Sequence, residues 1–136
     1  MSATPTDLPG ISPRGFEELV RGLFERMGYR ARLTPPTRDG GRDVEARRTT
    51  DSGSELLFVE CKHYPDGVVG VERVRALYGV TQDRKDVTKG VLITSGRFSE
   101  DAKDFARGKQ IELFDGTRLL GLLAKYGMRL QGPETK

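Results

Sequence analysis

Two charged side chains, Glu60 and Lys62, end the most apolar stretch of this sequence. Residues 56–59 read Leu-Leu-Phe-Val, which is typical of a buried strand, and side chains two apart on a strand leave the same face. Burying a carboxylate and an ammonium group is costly, so the pair needs a functional reason. Because open α/β sheets bind ligands at the carboxyl ends of their strands, the pair predicts a reactive site there.

Asp43 supplies a second carboxylate, at the end of a glycine-rich loop and just before a strand of alternating apolar and charged residues. Neighbouring strands lie about 5 Å apart, so Asp43 and Glu60 can meet at one cation. We expect Mg²⁺, which takes few carboxylates and keeps several waters, and we expect Mn²⁺ to substitute for it. Lys62 would then orient or deprotonate an attacking water, or stabilise the transition state. These groups suffice for phosphodiester hydrolysis.

A third acid, Glu17, comes from the first predicted helix. The apolar residues of this helix recur at positions 16, 19, 20, 23, 24 and 27, which is helical spacing with one buried stripe. Glu17 falls on the rim of that stripe, so it can lean over the sheet and reach the metal directly or through a water. Glu18 should point to solvent. The competing interpretation makes Glu17 an exposed acid that pairs with Arg21.

Cys61 and His63 flank the reactive lysine. Cys61 should point to the opposite face as a small buried hydrophobe, with its backbone carbonyl available to the metal. His63 is the only histidine, so no partner histidine exists for a His-based metal site. We interpret it as a structural or surface residue.

Further polar residues are candidates for contact with the phosphate backbone of a phosphodiester substrate. They are Arg38, Arg42, Gln82, Ser95 and Arg97. Ser95 and Arg97 follow a buried strand and precede a helix, a place that suits an anion, although Ser99 acting as a plain helix cap explains the pattern equally well. Arg47 and Arg48 follow the Asp43 loop and are either solubility charges or backbone contacts.

The elements that must position these residues alternate along the chain. Helices are predicted from Ser12-Pro13 to Gly28, over residues 71–82, from Ser99 to Gly108 and over residues 117–126. Strands are predicted at residues 30–34, 44–48, 56–64, 89–95 and 111–114. Short turns in the first half favour antiparallel pairing, and helical crossovers in the second half favour parallel pairing. The fold class is therefore α/β, with a mixed central sheet flanked by helices.

Five blocks of the sequence resemble the catalytic domain of Mrr-type restriction endonucleases, a branch of the PD-(D/E)xK nuclease superfamily. The signature reads here as Asp43 followed by Glu60-Cys61-Lys62. The matching blocks, from residue 15 to about 123, are GFEELVRGLFERMGY, DGGRDVEA, LLFVECKHY, KGVLITSGRFSEDAKDFA and IELFDGTRLLGLL. The resemblance implies a restriction-endonuclease-like fold, Mg²⁺-dependent cleavage of DNA, and a site formed by Glu17, Asp43, Glu60 and Lys62. Many relatives carry Gln where this chain has Glu60.

Composition and length set the remaining expectations. The 136 residues suit one domain, for which we predict a flexible tail at 1–11, a nuclease domain at 12–127 and a flexible tail at 128–136. A net charge of +3 permits contact with phosphates. A single cysteine excludes an internal disulfide, and no apolar run approaches the roughly 20 residues of a membrane span. No signal peptide is recognisable, so we expect a cytoplasmic protein.

The sequence leaves several functions open. The leading hypothesis is a DNA endonuclease of restriction, defence or repair. The alternatives are a Holliday-junction-type resolvase and a non-catalytic DNA-binding module of nuclease fold. Because a duplex needs two cuts, we expect a homodimer on DNA. Targeting would come from a separate domain or a partner protein.

Overall fold

The chain forms one mixed α/β unit in its structure, a computed structural model that describes residues 8–38 and 40–128. The helical elements are a 3-10 turn (Leu8–Gly10), α1 (Pro13–Arg26), α2 (Val71–Asp83), α3 (Glu100–Ala106) and α4 (Gly116–Lys125). The strands are β1 (Arg30–Leu33), β2 (Val44–Thr50), β3 (Gly53–Lys62), β4 (Val68–Val69), β5 (Lys89–Thr94), β6 (Arg97–Phe98) and β7 (Ile111–Phe114). No helix within the described ranges is long and apolar enough to cross a membrane.

The central sheet has the order β1-β2-β3-β5-β7. The first three strands pair antiparallel, because no helix crosses the sheet between them: residues 34–43 join β1 to β2, and Asp51 and Ser52 join β2 to β3. The last three pair parallel, because α2 and α3 carry the chain back across the sheet. The predicted mixed sheet flanked by helices is therefore confirmed.

Helices cover the two faces of the sheet unequally. On the first face, α1 and α4 enclose one core cluster, which includes Phe16, Val59 and Leu119. On the second face, α2 and α3 pack over β5 and β7 around Leu77 and Leu92. No helix covers the second face of β1 or the second face of the half of β2 that ends at Thr50, so the side chains there are exposed. We call this region the open face.

The helix ends follow the capping residues of the sequence. Ser12 caps α1 by accepting a hydrogen bond from the Gly15 N–H at 2.9 Å, with Pro13 at the first helical position. Gly28, at a φ of 101°, reverses the chain after α1. Ser99 caps α3 by accepting from the Ala102 N–H. These boundaries agree with the predictions to within a residue or two.

The strand predictions need correction in the middle of the chain. β2 runs to Thr50, past the predicted limit of residue 48, and β3 covers Gly53–Lys62 instead of residues 56–64. β4 lies where no strand is predicted, and it pairs parallel with β6. Strands of two residues leave no periodicity in a sequence, so this small second sheet was not predictable.

Residues just outside the predicted 12–127 domain pack against its core. Leu8 is only 3% exposed and belongs to the core cluster on the α1 face, and Ile11 packs against that cluster. At the other end, Met128 packs against the same cluster. The flexibility of the two tails stays a prediction. The rest of both predicted tails, residues 1–7 and 129–136, lies outside the described residues.

Candidate active site

Asp43, Glu60 and Lys62 meet at one end of the central sheet. Val44 pairs with Val59 in the antiparallel register, so the next pair outward is Asp43 and Glu60. Val59 faces α1, and alternation therefore puts Glu60 and Lys62 on the other face. The Lys62 Nζ lies 3.2 Å from the Glu60 Oε2, and these side chains are 17% and 18% exposed, respectively. The predicted neighbourhood of the two carboxylates and the lysine is thus present.

Asp43 is the most electrostatically perturbed carboxylate of this group. Burial, followed by the negative charge of Glu60, raises the pKa of Asp43 to about 6. The Lys62 ammonium and the backbone N–H of Cys61 act in the opposite direction, and the charge of Glu17 adds a smaller increase. The Asp43 backbone is fixed by Thr34, whose hydroxyl accepts the Asp43 N–H at 2.9 Å. Asp43 is therefore rigidly held where a negative charge is costly.

Glu17 projects from α1 with only 7% of its surface exposed. Its Oε2 accepts the backbone N–H of Arg42 at 3.1 Å, whereas its Oε1 is buried without a hydrogen-bond partner among the described residues. Burial raises the pKa of Glu17. The competing interpretation is wrong, because Arg21 pairs with Glu18 instead, at 3.1 Å. Glu18 is exposed, as predicted.

The donor set at this end of the sheet suits a hydrated cation. Within residues 8–38 and 40–128, no three His, Cys, Asp or Glu side chains converge as a ready-made metal cluster. Mg²⁺ does not need one, because it binds through one or two carboxylates and retains waters. The unpartnered Glu17 Oε1 and the mutual repulsion of Asp43 and Glu60 are two features that a cation would relieve. The residues therefore fit Mg²⁺, and the ligands Asp43, Glu60, Glu17 and the Cys61 carbonyl stay a prediction.

Cys61 packs against the core cluster on the α1 face, opposite to Glu60 and Lys62. Burial raises the pKa of its thiol well above the ordinary value, and the negative charges of Asp43 and Glu17 raise it further. A thiol in such surroundings stays protonated and is a poor nucleophile. Cys61 thus faces the core as predicted, but it is half-buried and not fully shielded from solvent.

His63 connects three parts of the fold. Its Nε2 lies 2.7 Å from the carbonyl oxygen of Ile11, to which it must donate, and its Nδ1 lies 2.8 Å from the Ser95 hydroxyl. Its ring stacks on Phe16 at a centroid distance of 4.7 Å. Burial lowers the pKa of His63, while the Ile11 carbonyl raises it. His63 is therefore structural, and it fixes the strand end that carries Lys62 to the start of α1, which carries Glu17.

The loop after β5 packs closely on the loop after β3. A Cβ atom on Gly96 would lie 2.3 Å from the carbonyl oxygens of both Tyr64 and Gly67. Ser95 is 8% exposed and bonded to His63, which leaves little surface for the phosphate contact predicted there. Arg97 remains exposed. The sequence offered one signal for this packing, a glycine directly after a buried strand.

The other predicted DNA contacts are spread over the surface. Arg38 in the Asp43 loop and Gln82 near the end of α2 are exposed, and both stay predictions. Arg42 is half-buried, and its Nε has no hydrogen-bond partner among the described residues. A cleft of about 480 Å³ opens beside Lys62, between the start of α1 and the loop after β3. Its lining includes Arg14, Glu17, Gly41, Lys62, His63 and Tyr64.

Comparison with known proteins places this chain among nucleases. The sequence profile of the Mrr catalytic domain, a family described as restriction endonuclease, matches residues 8–123 of this chain. The type IV methyl-directed restriction enzyme EcoKMrr of Escherichia coli (strain K12) is 31% identical over 118 residues, which are 83% of this chain and 38% of that enzyme. The uncharacterized protein y4cE of Sinorhizobium fredii (strain NBRC 101917 / NGR234) is 27% identical, over 75% of this chain and 26% of that protein. The chain thus spans well under half of each relative.

Solved structures agree on the fold. The DNA modification-dependent restriction endonuclease AspBHI superposes with a TM-score of 0.70 at 28% identity, over 94% of this chain and 37% of that one. The MspJI restriction endonuclease, solved with a 27-mer oligonucleotide, superposes with a TM-score of 0.54 at 20% identity, over 80% of this chain and 27% of that one. The second likeness concerns the fold alone. Since the family model matches most of its length, this chain belongs to the restriction endonuclease family, in the branch of Mrr-type catalytic domains.

Proposed function

We propose that this chain is a Mg²⁺-dependent DNA endonuclease domain that hydrolyses phosphodiester bonds with Glu17, Asp43, Glu60 and Lys62. The observation that carries the proposal is the proximity of Asp43 and Glu60 beside Lys62. Burial, together with the negative charge of Glu60, raises the pKa of Asp43 to about 6. Such an arrangement is unfavourable without a cation, and groups perturbed in this way cluster at functional sites. Family membership supports DNA as the substrate, because two relatives are named as restriction enzymes that respond to DNA modification.

The metal would be held by the Asp43 and Glu60 carboxylates and the Cys61 carbonyl, with Glu17 reaching it through a water. When bound, Mg²⁺ neutralises phosphate charge and lowers the pKa of an attacking water. Mn²⁺ would substitute, since it prefers the same oxygen ligands. Asp43 must lose its proton to take part, which its raised pKa permits at neutral pH.

Lys62 is the group that would contact the reacting phosphate. Its ammonium is restrained by Glu60 at 3.2 Å on a strand that lies inside the sheet, so little side-chain entropy is lost when it binds an oxygen. It would donate hydrogen bonds to a non-bridging phosphate oxygen, where negative charge grows in the transition state. Glu17 lines the adjoining cleft, and a small rotation of its carboxylate would let the unpartnered Oε1 accept a hydrogen bond from a water there and help to orient it.

Nicking of supercoiled plasmid tests the proposal. We expect wild type to cut in Mg²⁺ or Mn²⁺ but not in EDTA, and we expect Asp43→Ala and Lys62→Ala to lose at least about a hundredfold in rate. Glu17→Gln should also be impaired, whereas Glu18→Gln, one position further along α1 and exposed, should cut like wild type. Activity that survives in Lys62→Ala would show that the site is elsewhere or that a contaminant cuts.

We also propose the setting in which the domain acts. It would serve restriction, defence or repair of DNA in the cytoplasm, and as a homodimer it would cut both strands. Because phosphate contacts carry no sequence information, a separate domain or a partner protein would supply targeting. Sedimentation with and without duplex DNA tests the dimer. A preference for four-way junctions over linear duplex in the cleavage assay would favour a resolvase role instead.

A further inference from the structure

A basic groove lies along the β1 edge of the sheet, away from the cleft beside Lys62, and part of its lining belongs to the open face. Its volume is about 620 Å³, and it is lined by residues of β1, of β2 and of the end of α1. It is lined mainly by charged residues, which include Glu25, Arg30, Arg32, Glu45, Arg47 and Arg48. Because α2 and α3 pack over the other edge of the sheet, solvent reaches this groove directly.

Two arginines face each other in this groove. Arg30 of β1 is the direct partner of Arg47 of β2 in the antiparallel register, and both side chains are exposed. Neither forms an ion pair within 4.0 Å among the residues that the structure describes, although the charge of Arg47 contributes to lowering the pKa of nearby Asp86. Like charges directly opposite each other destabilise a sheet. Such a pair is therefore better explained by an anionic ligand than by folding.

The acids of the groove do not cancel these charges, because they already have partners. Glu45 is buried and binds Arg32 through one carboxylate oxygen and Arg84 through the other, both at 2.8 Å. Glu25 accepts the backbone N–H of Ala31 at 2.7 Å. Arg32 keeps 63% of its side chain exposed despite its ion pair. Arg48, the fourth arginine, is held by Glu55 at 2.9 Å and lies over the Tyr29 ring, on the α1 side of the sheet. On the open face the groove therefore presents three outward guanidinium groups, those of Arg30, Arg32 and Arg47.

The groove lies on the same side of the sheet as the candidate site. Alternation along β2 puts Glu45 and Arg47 on the face that Asp43 shares with Glu60 and Lys62. Asp43 and Arg47 are four residue steps apart along extended chain, which is about 13 Å. One strand of duplex DNA carries a phosphate every ~3.4 Å of helix axis, so a backbone anchored at Asp43 would bring several further phosphates within this span.

We propose that Arg30, Arg32 and Arg47 form a track for the sugar-phosphate backbone of the DNA whose scissile phosphate lies at Asp43 and Lys62. This inference rests on the proposed function. The track positions the duplex across β1 and β2 and does not read its sequence, because guanidinium–phosphate contacts are the same for every base. Arg32 also holds Glu45, whereas Arg30 and Arg47 have no comparable structural partner.

Salt-dependent binding tests the track. We would measure the affinity of a short fluorescent DNA duplex in EDTA, so that nothing is cut, between about 50 and 200 mM salt. Arg30→Gln/Arg47→Gln should bind about tenfold more weakly near 0.1 M salt. The slope of log K against log salt should become shallower by about 1.8, which is 0.9 for each lost contact. The double variant should keep or raise its melting temperature, because it removes a like-charge pair.

Arg107→Gln is the matched control. Arg107 is 75% exposed and follows α3, which packs on β7 at the opposite edge of the sheet. The DNA affinity of Arg107→Gln, and the slope of that affinity with salt, should equal those of wild type. A double variant that binds with the wild-type slope, or an equal loss in Arg107→Gln, would overturn the track and leave the nuclease proposal standing. A wild type that neither binds nor nicks DNA would overturn both.

Discussion

At the scale of single residues, Asp43 links the candidate site to the stability of the fold. Its pKa rises from 3.8 to about 6, so between these values the folded state holds a proton that the unfolded chain has lost. Stability therefore falls as pH rises through this window in the absence of metal. We expect Asp43→Asn to melt at a higher temperature than wild type above pH 6 in EDTA, because the amide carries no charge.

Thermal unfolding in EDTA at several pH values measures this effect. The gain of Asp43→Asn over wild type should shrink toward pH 4, where the wild-type carboxyl is protonated in the folded state. Asp86→Asn is the control, since the hydrogen bond from Arg84 lowers the pKa of Asp86 and its removal brings no such gain. A melting temperature of Asp43→Asn below that of wild type at neutral pH would contradict the electrostatic repulsion between Asp43 and Glu60.

His63 should stabilise the fold around the candidate site without contacting a reacting group. His63→Ala leaves the Ile11 carbonyl and the Ser95 hydroxyl without partners and removes the ring that stacks on Phe16. We expect a loss of about 2–4 kcal/mol in the free energy of unfolding, measured in urea. Tyr64→Ala, at the next position and 37% exposed, should change it by less than about 1 kcal/mol. Equal losses in both variants would contradict the structural role of His63.

The residues of the site differ in how far they could be predicted. Glu60 and Lys62 follow from alternation on a strand, and Asp43 from the loop that precedes the neighbouring strand. The burial of Glu17 could not be foreseen, because it depends on the Arg42 backbone reaching α1 from another part of the chain. Likewise, His63 binds partners that are 32 and 52 positions away, and a single sequence carries no trace of such contacts.

At the scale of elements, features set by neighbouring residues could be predicted from the sequence, and features set by long-range contacts could not. Ser12, Ser99 and Asp115 each cap a helix with a side-chain oxygen, a signal that acts within three residues. The small β4–β6 sheet depends on the loops after β3 and β5 meeting, which is a tertiary event. The open face also depends on long-range packing, because it exists only where α2 and α3 do not reach over β1 and β2.

The contact between the loops after β3 and β5 should be intolerant of any side chain at Gly96. Gly96→Ala places a Cβ 2.3 Å from two backbone carbonyl oxygens, which cannot move without shifting the chain next to Lys62. We expect a loss of more than about 2 kcal/mol in unfolding free energy, together with slower nicking.

Gly79→Ala provides the comparison for Gly96→Ala. Gly79 lies on α2 with open space around its added Cβ, so the substitution should stabilise the helix by about 0.5–1 kcal/mol. Chemical denaturation of both variants beside wild type gives the two values. A harmless Gly96→Ala would mean that the two loops are not in close contact.

At the scale of the whole molecule, the two halves of the sheet have different tasks. The parallel half, β5 and β7 with α2, α3 and α4, buries apolar side chains on both faces and acts as the scaffold. The antiparallel half holds Asp43 and Glu60 at one end and the exposed arginines of the open face beside them. The candidate site therefore lies where the covered part of the sheet meets the uncovered part, and a duplex can approach it from the open side.

Metal binding should stabilise the entire fold, because the proposed ligands come from α1, β3 and the loop before β2, which separate when the chain unfolds. An ion that binds only the folded state adds RT ln(1 + [L]/Kd), or about 1.4 kcal/mol at tenfold excess over Kd. We expect millimolar Mg²⁺ to raise the melting temperature of wild type at neutral pH, where Asp43 is ionised. Asp43→Asn should start from a higher melting temperature in EDTA yet respond little to Mg²⁺. The substitution removes both the repulsion between Asp43 and Glu60 and the carboxylate that would bind the ion. An equal response in wild type and variant would place the ion elsewhere, and the repulsion between Asp43 and Glu60 would then need another explanation.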